Sequence, residues 1–182
     1  MSINYRLDKD DTILVIVDFQ EKLMKAMSQS EKVYKNTNLL LVAAEQMGIP
    51  VIVTEQYPRG LGGTVEEIKE HLQDCKYVEK MKFSAFEGVQ ELLTNMNRKT
   101  ILITGSETHV CVFQTTRDLV EAGFNVQVVK DAVCSRFKEN HLNGLQLMKD
   151  VGAVITNTET VLFDLMKVAG SPEFKIISPL LK

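Results

Sequence analysis

The sequence predicts an α/β fold: a three-layer αβα sandwich around a roughly six-stranded parallel sheet, with Rossmann-like topology. Short apolar runs rich in β-branched residues recur along the chain, too continuous for half-exposed, alternating strands. Between them lie stretches of helical length with one apolar face. Strands alternating with helices imply a parallel sheet with right-handed crossovers and helices on both faces.

Ile13 to Val17 (ILVIV) reads as the first strand, buried on both faces. Glu31 to Met47 follows as a helix that stops at Gly48, where glycine suits a left-handed cap. Pro50 to Thr54 (PVIVT) is the second strand, Thr64 to Leu72 a helix, and Tyr77 to Lys80 (YVEK) a weaker third strand. Val89 to Met96 reads as helix, Thr100 to Thr104 (TILIT) as strand, and Cys111 to Ala122 as helix, stopped by Gly123. Val126 to Val129, the helix Glu139 to Lys149 and the strand Ala153 to Thr156 complete the pattern. No linker, repeat or low-complexity segment divides the chain, so residues 1–182 are expected to form a single domain, and 45% hydrophobic content supplies its core.

The formal charge is −3, from 21 basic and 24 acidic residues without a long run of either sign. That pattern points to a small-molecule substrate, with no footprint for nucleic acid or a membrane surface. The opening residues, MSINYRLDKDDT, carry no apolar signal core, and no apolar run approaches the roughly 18 residues that cross a bilayer. Three widely spaced cysteines, Cys75, Cys111 and Cys134, fit neither a disulfide framework nor a zinc ribbon. A cytoplasmic, reducing location is expected.

In parallel sheets ligands bind beyond the carboxyl ends of the strands. Asp18 follows ILVIV, Thr54-Glu55-Gln56 follows PVIV, Lys80 and Lys82 end or follow YVE, and GSETHVC (Gly105 to Cys111) follows TILIT. An acid, a lysine and a thiol gathered on one edge suit nucleophilic hydrolysis of an amide or ester, because a thiol attacks as its thiolate. At a helix start Cys111 would be acidified by unpaired N–H groups and the helix dipole. Each residue also has a plain structural reading. Cys111 fits a small buried apolar residue, Asp18 a helix cap, and Lys80 a solvated surface lysine; only their co-occurrence favours chemistry.

The segments VDFQ (Val17 to Gln20), KMKFSAF (Lys80 to Phe86), GSETHVCV (Gly105 to Val112) and DAVCS (Asp131 to Ser135) resemble isochorismatase-like hydrolases in order and approximate spacing. TEQYPRGLGGT (Thr54 to Thr64) further resembles the isochorismatase-domain-containing subgroup. The resemblance implies a catalytic set of Asp18, Lys80 and Cys111. Positions 80 and 82 share strand parity, so alternation cannot choose between them; the motif favours Lys80 and leaves Lys82 as the fallback. It also implies a cis peptide at Ser106-Glu107 that helps aim the N–H of Glu107 or Cys111 into an oxyanion hole. Phe19, Gln20, Tyr57, Phe83 and Thr108 are candidates for the substrate pocket, and Phe86 for its wall or the core.

Metal-dependent nicotinamidases of the superfamily carry an aspartate and histidines after the second strand; here that stretch reads Glu55, Gln56, Tyr57, Pro58, Arg59. His71, His109 and His141 form no pair at ligand spacing, so no metal and no cofactor is expected. His109 is expected to pack or hydrogen-bond near the helix start rather than act as the base. Gly60 to Gly63 lacks the residues of a phosphate loop and reads as a turn. Isochorismate-cleaving members lack the nucleophilic cysteine, so the resemblance points to carbonyl or amide substrates and a thioester-like acyl enzyme. The alternatives on the same fold are an oligomeric binding or scaffold protein and a thiol redox sensor. The resemblance also implies a homo-oligomer. The apolar Ser171 to Lys182 segment either docks a partner copy or packs on its own domain.

Overall fold

The computed structural model describes residues 4–181; positions 1–3 of the N-terminal stretch and Lys182 of the C-terminal segment lie outside the described residues. The strands are β1 (Thr12–Val17), β2 (Val51–Gln56), β3 (Lys76–Lys80), β4 (Thr100–Ser106), β5 (Asn125–Cys134) and β6 (Val154–Thr156). They form one sheet in the order β3-β2-β1-β4-β5-β6, and every neighbouring pair is parallel. The expected α/β sandwich is therefore present. Strand order reverses between β1 and β4, which places a crevice at their carboxyl ends.

The helices are α1 (Glu21–Met24), α2 (Ser30–Met47), α3 (Pro58–Leu61), α4 (Glu66–Lys69), α5 (Phe86–Met96), α6 (Phe113–Glu121), α7 (Lys138–Asp150), α8 (Thr158–Met166) and α9 (Pro172–Ile177). A π-helical turn, Thr108–Val112, leads into α6, and a 3-10 turn, Ser178–Leu181, follows α9. Side chains alternate across β1 as a strand requires. Leu14 and Ile16 pack into the layer of α2, α8 and α9, with Leu40, Val161, Leu165 and Ile177. Ile13, Val15 and Val17 pack into the layer of α5, α6 and α7, with Val89, Leu93, Leu119 and Met148.

Three elements differ from the sequence pattern. The helix expected over Thr64 to Leu72 shrinks to the single turn of α4, because Val65 and Ile68 are its only buried apolar residues. Strand β5 runs on through Lys130 and Asp131, which interrupt its apolar run, to Cys134, pairing Val133 and Cys134 with Gly105 and Ser106 of β4. The helix expected from Cys111 instead begins as the π-helical turn, three residues earlier. In the C-terminal segment Ile177 is fully buried in the α2 layer, so α9 packs on its own chain.

Gly105, at φ 137°, lies in register with Val17 at a pairing irregularity of β4. A Cβ there would press on the Val17 carbonyl oxygen and lie 2.8 Å from its Cα. A glycine is what lets β4 come this close to the residue preceding Asp18.

Candidate active site

Asp18 is fully buried and adopts a left-handed conformation, φ 52°. Its N–H donates to the Thr54 carbonyl at 3.1 Å, and its own carbonyl accepts from Ser106 Oγ at 2.8 Å and from Gln20 N at 2.9 Å. Backbone bonds to the neighbouring strand ends thus hold a conformation that a non-glycine residue adopts at a cost. The carboxylate accepts from Thr54 Oγ1 through Oδ1 at 2.7 Å, while Oδ2 lies 2.6 Å from Lys80 Nζ. Oδ2 is held by the Lys80 ammonium, and a carboxylate oxygen with one such partner still has a lone pair for a second donor. Burial pushes the Asp18 carboxyl above its ordinary range, although Lys80 and Thr54 pull the other way.

Lys80 ends β3 and is 8% exposed. Besides Asp18, its ammonium donates to Gln56 Oε1 at 2.8 Å and to the carbonyls of Phe83 and Lys82 at 2.9 and 3.2 Å. Lys82 lies past the strand end, exposed, and pairs with Glu87 at 2.5 Å. Of the two lysines, Lys80 is the one brought to Asp18. Gln56, in register with Lys80, stands on the edge that the sequence indicates but has no role assigned from sequence. Its Nε2 donates to the Met81 carbonyl at 2.8 Å and its N–H to Gln20 Oε1 at 2.7 Å, so it fixes the lysine from below. Its position at the end of β2, level with the lysine, was the available signal.

Cys111 sits in the π-helical turn, 6% exposed, with its thiol against the Asp18 carboxylate. Its expected acidification is reversed. Burial foremost, then the negative charge of Asp18, pushes the thiol up to about 12, against the attraction of Lys80. The resting site therefore holds a thiol beside a carboxylate–ammonium pair. The turn also bears on the backbone donors: the Glu107 carbonyl accepts the N–H groups of Val110 at 3.0 Å and Val112 at 3.2 Å, skipping that of Cys111. Such a turn inside a helix often marks a functional site. The Ser106-Glu107 peptide is cis.

The remaining expected residues divide. Phe19 is fully buried on the α2 layer, edge-on to Tyr34, whereas Cys111 belongs to the opposite layer. It is a core residue, not a pocket wall, because left-handed Asp18 breaks the alternation of β1. Gln20 is buried and committed, donating through Nε2 to the carbonyls of Gln56 and Gly62 at 3.0 and 2.7 Å. It is a brace rather than a free substrate contact. Thr108 is also turned away, with Oγ1 3.0 Å from His141 Nδ1. Tyr57, φ 40°, lies with its ring over Gly60, and with Phe83 it remains accessible. Glu107 pairs with Arg136 at 3.0 Å and so ties the turn to the end of β5, while Phe86 packs in the α5 layer. His109 Nδ1 lies 3.0 Å from Ser135 Oγ, at the helix start.

Comparison with known proteins identifies the family of the chain and its fold. The isochorismatase domain model matches residues 12–160. A secreted isochorismatase effector from Phytophthora sojae is 43% identical over 97% of this chain and 87% of its own length. Isochorismatase domain-containing protein 2 of Xenopus laevis is 34% identical over 97% and 86%. Among solved structures, the MAR1 ribonuclease of Caenorhabditis elegans superposes with TM-score 0.91 at 35% identity, covering 97% of this chain and 92% of that one. An octameric Escherichia coli hydrolase of unknown specificity gives 0.85 at 26%, covering 92% and 85%. The family model spans all six strands and the site residues Asp18, Gln56, Lys80 and Cys111, and the chain belongs to the isochorismatase family of hydrolases.

Proposed function

We propose that the protein is a cysteine hydrolase of small carbonyl or amide substrates, with Cys111 as nucleophile, Asp18 as proton acceptor and donor, and Lys80 as the cation that balances charge. The observation that carries this is the buried Asp18–Lys80 pair at 2.6 Å with a thiol against it. Burying an ion pair adds little stability over apolar packing, so its presence beside a nucleophile favours a chemical use. The Asp18 carboxylate receives the thiol proton as sulfur bonds to the substrate carbon. Lys80 then faces the thiolate or the developing negative charge, and the Cys111 N–H donates to the oxyanion. Protonated Asp18 returns its proton to the leaving group, giving a thioester that water hydrolyses with Asp18 again as base.

A thiol held at about 12 is poorly suited to redox sensing, which needs a thiolate at rest. A chain of charge −3 offers little to a phosphate backbone, which disfavours for it the nucleic-acid substrate that the name of the C. elegans ribonuclease implies. Met81 and Phe83, 72% and 56% exposed beside Lys80, make an apolar rim that a second copy would cover in a homo-oligomer, as the octameric neighbour suggests. Among the described residues no helix is long and apolar enough to cross a membrane, and all three cysteines are free, as a reducing cytoplasm would keep them. Screening small amides and esters with wild type and Cys111→Ala tests the assignment. Turnover by the wild type alone supports it, and equal turnover by Cys111→Ala defeats it.

A further inference from the structure

Away from the triad, at the end of β5, a cavity of about 410 Å³ opens between the first turns of α2 and α7. We propose that it binds a small organic molecule bearing a phosphate group. Three lysines line it, Lys32 from α2, Lys130 from β5 and Lys138 from α7, and none is ion-paired among the described residues. All three are exposed, and a phosphate dianion bound in the cavity would be attracted to each of them.

One carboxylate, Asp131, also lines the cavity; its Oδ1 accepts from Thr158 N and Oγ1, both at 2.9 Å, and its charge offsets one of the three lysines. Glu107 is paired with Arg136. The imidazole of His141, also in the wall, is held below its ordinary value by burial and by the Lys32 charge, consistent with local positive excess. Neither Gln29 nor Phe137, the residues preceding α2 and α7, supplies a side-chain cap to its helix.

The volume exceeds what inorganic phosphate fills and falls in the range of small-molecule sites. Val33, Val133 and Leu142 give it apolar walls for an organic body. Two contacts join the cavity to the turn that carries Cys111: His141 with Thr108, and Ser135 with His109, both at 3.0 Å. Occupancy is thus placed to influence the turn, although the site stands whether or not Cys111 is catalytic.

Ribose 5-phosphate serves as probe, with ribose and matched sodium chloride as controls, read by titration calorimetry and by backbone amide shifts. Saturable binding of the phosphate ester, absent for ribose, with shifts confined to the starts of α2 and α7 and the end of β5, is expected. Replacing Lys32, Lys130 and Lys138 together by Gln weakens it about tenfold, at the two- to threefold that one exposed ion pair supplies. Lys25, Lys149 and Lys175 replaced together leave it unchanged. All these lysines are exposed, so both triple variants should fold, which circular dichroism checks. No saturable binding, equal binding by the two triple variants, or shifts located elsewhere overturns the proposal.

Discussion

Replacing Asp18 by Asn removes a buried carboxylate that, under the proposed mechanism, restrains the resting thiol and also serves as its proton acceptor. After burial, the Asp18 charge is the largest cause of the rise of Cys111 to about 12. A unit charge about 4 Å away at an effective dielectric near 20 is worth roughly 4 kcal/mol, or about three pKa units. With Lys80 still in place, the thiol of Asp18→Asn should ionise near or below its ordinary value, and at about pH 8 the thiolate fraction should rise about a thousandfold. A less basic thiolate is a weaker nucleophile, with a Brønsted coefficient near 0.5, so the alkylation rate should rise roughly thirtyfold. Turnover should move the other way and fall by orders of magnitude, because no group takes or returns the proton. The assay is iodoacetamide labelling of Cys111 from neutral to alkaline pH, read by mass spectrometry with Cys75 and Cys134 as internal controls. It is run beside hydrolysis of 4-nitrophenyl acetate. Slower labelling in Asp18→Asn would refute the reasoning, since it would mean that the carboxylate activates the thiol at rest.

Lys80→Met should destabilise the fold by about 3 to 5 kcal/mol, because it leaves Asp18 buried without its cation; adding Asp18→Asn should recover much of that loss in urea melts. Gln56→Leu, which releases one anchor of Lys80, should lower kcat by roughly tenfold or more with a smaller change in KM, as displacement of a catalytic group does. Gly105→Ala should lower stability by roughly 2 to 3 kcal/mol through strain and the clash with Val17, seen as a reduced denaturation midpoint. The folded-state pKa of Asp18 lies above its unfolded value, so the acid limb of kcat/KM should fall above the ordinary carboxylate range. On the alkaline side, Cys111 and Cys134 are both raised to about 12, so the unfolded chain releases their protons first. Their contribution to stability is complete below the thiol's ordinary pKa and is lost as pH rises toward 12, which thermal melts across that window would record.

The sheet was legible because its central strands are buried on both faces and leave unbroken apolar runs, as ILVIV does. The strand-end rule then put Asp18, Lys80 and Cys111 on one edge, where the structure also places them. What the pattern could not carry was conformation beyond the strand ends. The left-handed twist at Asp18 turned Phe19 into the opposite layer, and the end of β3 at Lys80 separated it from Lys82 where parity could not. The acidity of Cys111 depends on what covers it, and a helix start says nothing of the carboxylates of Asp18 and Glu107 or of the depth of burial. Gln56 had no role legible in the sequence because its use depends on its register with Lys80, a pairing between strands that no single segment encodes.

The most direct test of the central claim is intact-protein and peptide mass spectrometry of the enzyme quenched during turnover of 4-nitrophenyl acetate. An acetyl group on Cys111, accumulating with a burst of nitrophenolate in the wild type and lost in Cys111→Ala, is the expected result. An acetyl group carried elsewhere, or undiminished nitrophenolate release by Cys111→Ala, would contradict a Cys111 nucleophile.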